Sequence, residues 1–277
     1  MRDPSEAVVL VTGATDGLGK QVALELAGRG ATVLLHGRSR ERLQATLEEI
    51  GHATGEERAR LYLADLASLG EVRALAGRVL SDHDRLDALV NNAGVIVAER
   101  AESEDGYELT FAVNYLSHFL LTSLLLPLLR DAAPARVVNV ASAGQSPVDF
   151  DDVMLERGYD GLRAYTRSKL AQIMFTFELA ERLRGSGVSA NALHPASLME
   201  TKMVLETFGR AMSTVREGTE ATVRLVVSRE LEGVTGRYYD RRREARANPQ
   251  AYDAGARERL WALSERLCEG FLEPLRR

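Results

Sequence analysis

The stretch Thr12-Gly13-Ala14-Thr15-Asp16-Gly17-Leu18-Gly19 decides the fold, because its three glycines lie where an apolar run gives way to a helical pattern. The run, residues 7–12, reads AVVLVT, and the helical spacing continues to about Arg29. Gly13 permits a tight turn, while Gly17 and Gly19 let the backbone approach a pyrophosphate and let the helix pack on the strand. The stretch therefore predicts a dinucleotide-binding strand–turn–helix unit, with spacing G-x-x-x-G-x-G instead of G-x-G-x-x-G.

The same alternation of apolar runs and helical patterns continues along the chain. Six further strands are predicted, at residues 31–36, 59–65, 86–91, 135–142, 188–194 and 235–240. Helices are predicted over residues 40–50, 68–83, about 105–130 and the segment around Tyr165. The strands are continuously apolar, as expected of strands buried on both faces. This pattern predicts an α/β fold with a single doubly wound (Rossmann) parallel sheet and helices on both faces.

Composition narrows the class of protein. The 277 residues carry 35 basic and 40 acidic side chains, a formal net charge of −5, which favours neither nucleic acid nor an anionic membrane as a general partner. The longest apolar run, residues 119–129, is short for a membrane span and contains Pro127, so we expect a buried helix. One cysteine, Cys268, and an N-terminus without a signal pattern predict a cytoplasmic protein.

Small or polar residues follow six of the predicted strands. In chain order these segments read GATDGLG, GRS, DLA, NAG, SAG and PAS. Because the carboxyl ends of parallel strands meet at one edge of a sheet, and ligands bind there, six such segments indicate a shared binding edge. Plain turns at all six places are the weaker explanation.

The end of the second strand bears on the choice between NAD and NADP. An acidic residue there would bond the ribose 2′-hydroxyl, but the stretch 35–39 reads LHGRS and holds no carboxylate. Arg38 can grip a phosphate and Ser39 can add a donor. Asp16 counts against NADP, since its charge near the adenosine ribose would disfavour a 2′-phosphate. NADP is therefore favoured over NAD, with NAD left open.

Tyr165 and Lys169 stand four residues apart in AYTRSKLAQ, so a helix would place them on one face. They could be a chance surface pair. Alternatively, the cation could stabilise a phenolate, giving a tyrosine that exchanges protons near neutral pH, far below its ordinary pKa of about 10. The pair alone is a weak signal.

Several motifs in the right order make the chain resemble the classical short-chain dehydrogenase/reductase family over roughly residues 6–240. They are TGATDGLG, the pair Asp65-Leu66, Asn91-Asn92-Ala93-Gly94, Asn114 in FAVNYLSHF, Ser142 in VVNVASAG, and Tyr165-x-x-Ser168-Lys169. The segments NYLSHFLLT and AYTRSKLAQIMFTFELAERL look most like the retinol dehydrogenase and WW-domain oxidoreductase branch.

The resemblance implies catalytic roles for four residues. Tyr165 would be the general acid in carbonyl reduction and the base in alcohol oxidation, and Lys169 would bond the nicotinamide ribose and lower the pKa of the tyrosine. Ser142 would bond the substrate oxygen, and Asn114 would hold a water in the proton relay. The implied cofactor-binding residues are Gly13, Thr15, Asp16, Gly17, Leu18, Gly19, Arg38, Ser39, Asp65, Leu66, Asn92, Ala93, Gly94, Tyr165, Lys169, Pro195 and Thr201.

The segment after the sixth strand departs from the family pattern. Pro195 is followed by Ala196, where the family usually has glycine, and a methyl there would crowd the nicotinamide edge or alter the lid. His194 is expected to be a packed histidine, because no metal-type cluster accompanies it.

We expect one catalytic domain over residues 1–277. It would have a core at about 6–240, a substrate lid at about 196–215 and a C-terminal helical extension at about 247–268, packed on the core or on a partner subunit. Apolar residues in the lid and in the loop 143–163, such as Phe150, Met154 and Tyr159, indicate either a lipophilic substrate or ordinary core packing.

The leading prediction is an NADP(H)-dependent oxidoreductase acting on a lipophilic ketone or aldehyde, or on a secondary alcohol, without a metal. The alternatives are an NAD-dependent alcohol dehydrogenase and a non-catalytic NAD(P) sensor. The complete set of Asn114, Ser142, Tyr165 and Lys169 argues against the sensor, which needs no proton relay. Assembly is left open between a homodimer and a homotetramer.

Overall fold

The computed structural model describes residues 3–273 and 275, and within them one sheet of eight strands. The strands, with their bounds, are β1 (Val8–Val11), β2 (Thr32–Gly37), β3 (Ala59–Leu63), β4 (Ala88–Asn91), β5 (Ala135–Val140), β6 (Val188–His194), β7 (Arg237–Asp240) and β8 (Arg243–Glu244). Their spatial order is β3-β2-β1-β4-β5-β6-β7-β8. The strands β1 to β7 pair in parallel, which confirms the predicted doubly wound sheet.

Helices cover both faces of this sheet. They are α1 (Gly17–Gly28), α2 (Arg40–Thr54), α3 (Leu69–Asp82), α4 (Leu109–Phe111), α5 (Ser117–Asp131), α6 (Gly161–Arg182), α7 (Lys202–Phe208), α8 (Val215–Val227) and α9 (Ala254–Leu267). Most begin after a Ser, Thr or Asp whose side chain accepts a hydrogen bond from the first turn, such as Ser68 before α3 and Asp160 before α6. These caps explain why the helices start where they do.

A π-helical turn over Ala112–Leu116 joins α4 and α5 into one continuous helix, Leu109–Asp131. Among the described residues, this 23-residue helix alone is long and apolar enough to cross a membrane. However, 83% of its most apolar window is buried inside the fold, as in the core helix of a globular protein. The prediction of a buried helix here is therefore confirmed, although the helix is longer than the apolar run 119–129.

The short strand β8 is the one element of the sheet that was not predicted. It pairs antiparallel with β7 and forms a hairpin whose turn includes Arg241, at φ +54°. The basic run 237–247 therefore forms the edge of the sheet, where its charged side chains reach solvent. Charged residues at an exposed edge also oppose pairing with another chain.

Alternate residues of the central strands belong to different cores. Leu10 of β1 packs with α3, α5 and α6, whereas its neighbours Val9 and Val11 pack with α1, α2 and α8. This alternation follows from the two-residue period of a strand. Because both faces are covered, the strand interiors need apolar side chains throughout.

Buried amides connect the middle of the sheet to the helices. Asn91 of β4 donates through Nδ2 to Asn139 Oδ1 of β5 (2.8 Å) and to Thr122 Oγ1 of α5 (3.0 Å). Asn139 in turn donates to Thr176 Oγ1 of α6 at 2.8 Å. Since α5 continues the turn that holds Asn114, and α6 carries Tyr165 and Lys169, these bonds set where those three candidate residues lie relative to the strand ends.

The helix α9 packs on the core of its own chain. Trp261 meets Phe119 edge-on with 5.0 Å between ring centroids and stacks on Phe175 at 5.8 Å, while the Arg182 guanidinium lies 4.2 Å above its ring. The hydroxyls of Tyr115 and Ser264 lie 2.6 Å apart. Of the two alternatives for the C-terminal extension, the structure therefore shows packing on the core.

Replacing Trp261 with alanine should destabilise the fold by about 2–4 kcal/mol, the lower part of the range for core aromatics because the ring is only partly buried. Urea unfolding followed by far-UV circular dichroism would measure this, since the variant lacks the only tryptophan. The control Leu162→Ala removes a side chain of α6 that is 49% exposed and should cost less than ~0.5 kcal/mol. Equal effects of the two substitutions would contradict the proposed anchoring.

Candidate active site

Thr12 joins the loop after β1 to the loop after β4. Its Oγ1 accepts hydrogen bonds from the backbone N–H groups of Asn92 (2.8 Å) and Ala93 (3.0 Å), and Asn92 Nδ2 donates to the Thr12 carbonyl at 2.8 Å. Two segments that were predicted separately to bind the cofactor are therefore held together. Sequence reasoning did not single out Thr12, although a threonine that ends an apolar strand is a usable signal.

The glycines after β1 form a cradle that side chains would fill. A Cβ on Gly13, whose φ is +67°, would lie 3.0 Å from Ala93 Cα, and one on Gly19 would lie 2.2 Å from the Gly13 carbonyl oxygen. A Cβ on Gly17 would lie 3.0 Å from Thr201 Cγ2. The loop thus combines close backbone packing with the N-terminus of α1, and these residues fit a dinucleotide pyrophosphate.

Asp16 has a structural role in this cradle. Its exposed carboxylate accepts a hydrogen bond from the Gly17 N–H at 2.7 Å and caps α1. From the sequence, Asp16 was considered only as a residue near the adenosine ribose, and its role as a helix cap was not predicted. The cap places a negative charge at the start of α1, where the helix dipole favours it.

His36, at the end of β2, holds the glycine loop from the other side. Its Nδ1 accepts from the Gly13 N–H at 3.3 Å, so the ring proton is on Nε2, which lies 3.1 Å from the Ala64 carbonyl oxygen. The side chain is 2% exposed, and this burial lowers the pKa of His36 to about 4. The sequence interpretation missed this residue, because only the fold brings Gly13 and Ala64 to it.

The residues after His36 differ in their surroundings. Gly37 is buried, and a Cβ there would lie 2.6 Å from Thr15 Cγ2, so a carboxylate at position 37 would displace Thr15. Arg38 is exposed, and Ser39 is half-buried and caps α2 by accepting from the Arg42 N–H at 3.3 Å. Arg38 therefore lies at the surface at the end of β2.

Asp65 and Leu66, two of the candidate cofactor-binding residues, follow β3. Leu66 is buried, while the half-buried Asp65 accepts from the Ala67 N–H at 3.0 Å. These contacts shape the loop and leave part of the Asp65 side chain open to solvent.

Ser142, Tyr165 and Lys169 come together, as predicted. Ser142 follows β5, and its hydroxyl hydrogen-bonds to the Tyr165 phenol. Lys169 follows one turn later on α6, with Nζ 5.5 Å from the centroid of the Tyr165 ring. The tyrosine is half-buried and the lysine is 3% exposed.

The electrostatics of this cluster differ from the sequence interpretation, in which the cation lowers the pKa of the phenol. Burial raises the pKa of Tyr165, and the hydrogen bond from Ser142 opposes that rise. Burial also lowers the pKa of Lys169 to about 7. The Lys169 ammonium donates to the Val140 carbonyl and to Gln172 Oε1, both at 2.8 Å. Desolvation therefore dominates over attraction between the pair.

Asn114 lies in the π-helical turn and binds two neighbours through its side chain. Its Oδ1 accepts from the Val95 N–H at 2.7 Å, and its Nδ2 donates to the Val95 carbonyl and to Ser168 Oγ, both at 3.0 Å. A Cβ on Gly94 would lie 3.7 Å from Lys169 Nζ. Asn114 thus holds the loop after β4 directly beside Lys169.

The segment after β6 lies against the glycine loop. Ala196 is 4% exposed, so its methyl points into the protein, and Leu198 adopts φ +45°, a region that a branched side chain seldom occupies. Thr201 contacts the region of Gly17 and caps α7 by accepting from the Val204 N–H at 3.4 Å. His194 Nε2 lies 3.0 Å from Ser197 Oγ, which agrees with a packed histidine.

The apolar candidates for a substrate wall divide into two groups. Phe150 and Met154 pack against the core, and the Tyr159 hydroxyl donates to the Val97 carbonyl at 3.0 Å. By contrast, Leu205, Phe208 and Met212 of the predicted lid remain 48%, 39% and 68% exposed. Core packing therefore accounts for the first group, and the second group stays available to a ligand.

A glycine cradle at the switch between β1 and β4, beside a Ser–Tyr–Lys cluster, defines an oxidoreductase that binds a nicotinamide dinucleotide. The profile of the short chain dehydrogenase family matches residues 7–211. The chain therefore belongs to the short-chain dehydrogenase family and is an NAD(P)-dependent oxidoreductase.

The chain is similar to named relatives and to solved structures. Mouse retinol dehydrogenase 13 is 41% identical over 276 residues, covering 94% of this chain and 83% of that protein. Human retinol dehydrogenase 14 is 38% identical, covering 93% and 84%. A crystal structure of an uncharacterized Mycobacterium paratuberculosis protein has a TM-score of 0.78 at 30% identity, covering 98% and 96%. An Escherichia coli short chain dehydrogenase complexed with NADPH has a TM-score of 0.71 at 26% identity, covering 85% and 96%.

The buried histidine at the glycine loop should make the fold acid-sensitive. The folded-state pKa of His36 is about 4, below the ordinary 6.5, so protons bind preferentially to the unfolded chain and stability falls as pH drops from about 6.5 towards 4. Between pH 7 and pH 4.5 this histidine accounts for about 2–3 kcal/mol. In His36→Gln, the free energy of unfolding should fall by that much less between the two pH values, as measured by urea unfolding. The exposed His52→Gln serves as the control, and equal acid loss in both variants would contradict the assignment.

Proposed function

We propose that this protein is an NADP(H)-dependent oxidoreductase that transfers a hydride between nicotinamide and a lipophilic ketone or aldehyde, or the corresponding alcohol. The main support is the cluster of Ser142, Tyr165 and Lys169 at the carboxyl edge of the sheet, next to the glycine cradle. That edge is where ligands of doubly wound sheets bind.

Each residue of the cluster has a chemical task in this proposal. The bound cofactor supplies or accepts the hydride. Tyr165 gives its phenolic proton to the carbonyl oxygen in reduction and takes a proton from the alcohol in oxidation. Ser142 donates a hydrogen bond to the same oxygen and stabilises the charge that develops there. Lys169 bonds the nicotinamide ribose. Asn114 holds the loop after β4 in place beside Lys169.

The pKa directions favour the reducing direction. Burial raises the pKa of Tyr165, so the phenol is protonated at neutral pH and ready to act as an acid. Burial lowers the pKa of Lys169 to about 7, so its positive charge is lost as pH rises through that value. Carbonyl reduction should therefore be best on the acidic side of neutrality and decline above it.

Arg38 supports NADP over NAD. It is exposed at the end of β2, and the buried Gly37 beside it leaves no room for the carboxylate that would hold a ribose diol. Two similar structures, from Escherichia coli and from Pseudomonas aeruginosa, are complexes with NADPH and NADP. The charge of Asp16 opposes a nearby phosphate, but the carboxylate already accepts a hydrogen bond from Gly17 as a helix cap.

The lid supports a lipophilic substrate. In the lid, residues 196–215, the side chains of Leu205, Phe208 and Met212 are exposed. Exposed apolar surface is unfavourable in water, and contact with an apolar ligand would offset that free-energy cost. The similar mouse and human proteins are named for retinol, a long apolar alcohol. A panel of apolar aldehydes, ketones and alcohols of increasing chain length is therefore the first activity screen.

A non-catalytic NAD(P) sensor is the alternative of another class. Such a protein has no use for a proton donor beside a buried lysine, whereas both are present here. Cofactor binding without turnover of any compound on the panel would favour the sensor.

We take residues 1–277 as one catalytic domain acting in a reducing compartment such as the cytoplasm, because Cys268 is a buried free thiol.

Tyr165→Phe should keep the affinity for NADPH and lower the turnover number by at least ~10²-fold, because the proton donor is removed while the ring stays. Steady-state kinetics on the best carbonyl of the panel would measure this. Tyr62→Phe is the matched control, since the Tyr62 hydroxyl bonds Asp82 Oδ2 (2.9 Å), away from the catalytic cluster. Turnover within a few-fold of wild type in Tyr165→Phe would show that the assigned acid is wrong.

Arg38→Gln should raise the dissociation constant for NADPH by roughly 10- to 100-fold and leave that for NADH nearly unchanged, because only NADPH loses a charged contact. Fluorescence titration of both reduced cofactors would test this. The control Arg40→Gln removes an equally exposed charge two residues along the chain. Equal losses for the two cofactors, or tighter wild-type binding of NADH, would overturn the NADP preference.

A further inference from the structure

A chain of buried polar groups continues inward from the catalytic lysine. Lys169 Nζ donates to Gln172 Oε1 at 2.8 Å, and Gln172 Nε2 lies 3.0 Å from His118 Nδ1. All three side chains are at most 3% exposed, and Gln172 and His118 belong to different helices, α6 and α5. None of the catalytic steps described above uses Gln172 or His118.

Donor and acceptor chemistry sets the direction of this chain. An ammonium can only donate, so the Gln172 atom that faces Lys169 must be the amide oxygen. The amide NH₂ then faces His118 and donates to Nδ1, which must be unprotonated. The imidazole proton is therefore on Nε2, a buried atom with no hydrogen-bond partner among the described residues.

We propose that Gln172 and His118 are positioning residues for the reaction: neutral His118 orients the Gln172 amide so that its oxygen supports the buried, charged Lys169. If His118 carried a second proton, Nδ1 would become a donor, and the amide would have to turn its NH₂ group towards the ammonium. Two donors would then face each other in a dry interior, and the charge on Lys169 would be disfavoured.

The surroundings of Lys169 explain why one amide oxygen matters. Its two acceptors, the Val140 carbonyl and Gln172, are neutral, and the titratable groups that face it are Tyr165 on α6 and His118 on α5. Burial, the positive charge of Lys169 and the more distant His36 lower the pKa of His118 to about 3, against an opposing effect of the Asn114 carbonyl. His118 is therefore neutral wherever the enzyme would work.

The charge state of Lys169 can be measured without any substrate. The chain has three lysines, Lys20, Lys169 and Lys202, so protein labelled with 13C at the lysine ε-carbon gives three signals, of which Lys169→Met identifies one. Lys20 and Lys202 have side chains 28% and 60% exposed and serve as internal references. Nuclear magnetic resonance spectra across a pH series then give the titration midpoint of Lys169.

Gln172→Leu should lower this midpoint by about one pH unit, since it removes a hydrogen bond to a charged group, and Gln172→Glu should raise it by a similar amount. His118→Leu should lower the midpoint, whereas His118→Asn, which keeps an acceptor near the position of Nδ1, should restore it. In carbonyl reduction, the alkaline loss of activity should move in the same directions. A merely structural role would destabilise these variants without moving the midpoint in opposite directions.

Ser117→Ala is the matched control, because it deletes a fully buried hydroxyl of α5 that donates to the Val113 carbonyl. It should leave the Lys169 midpoint unchanged. Midpoints in Gln172→Leu and Gln172→Glu equal to wild type would overturn the inference. The inference rests on the proposed function only for the use of Lys169 in catalysis. If no compound on the panel is turned over, the proposed function fails while the titration still decides the role of Gln172.

Discussion

The site depends on keeping a lysine ammonium charged inside the protein. Lys169 is 3% exposed, and a buried cation loses most of its hydration. Its acceptors come from two directions, the end of β5 and the next turn of α6. The buried amides that join β4, β5, α5 and α6 maintain this geometry, because a small shift of α6 relative to β5 would separate the ammonium from the Val140 carbonyl.

The cofactor cradle and the catalytic cluster are connected through the loop after β4. Asn92 bonds the end of β1, and Val95, three residues later, bonds Asn114 in the π-helical turn. Ser168 links Asn114 to the tyrosine helix. The glycine cradle and the helix of Tyr165 are thus connected through this loop and its hydrogen bonds, so under the proposed function a substitution at Thr12 or Asn114 should disturb cofactor binding and proton transfer together.

Local periodicity and motif order were sufficient to predict the parallel sheet, most of its helices and the residues gathered at its edge, but they gave no helix where α8 lies. They were not sufficient for contacts that only the fold creates. His36 meets Gly13 across 23 positions of sequence, and Gln172 meets His118 across 54. The pKa of Tyr165 was predicted to fall and instead rises, because desolvation depends on how deeply α6 packs. Phe150 and Leu205 are both large apolar residues, yet Phe150 packs on the core and Leu205 is exposed. Hydrophobicity alone does not say whether a side chain packs in the core or lies at the surface.

The position of α9 along the chain has a consequence for biosynthesis. The eight described strands and the candidate catalytic residues all leave the ribosome before Trp261, yet Phe119 and Phe175 are covered by this ring in the folded protein. Until α9 emerges, the nascent chain exposes an aromatic surface on the helices that carry its chemistry. A chaperone that recognises apolar segments could bind this surface at that stage, because the core is complete only after α9 and the buried Cys268 that follows it have been synthesised.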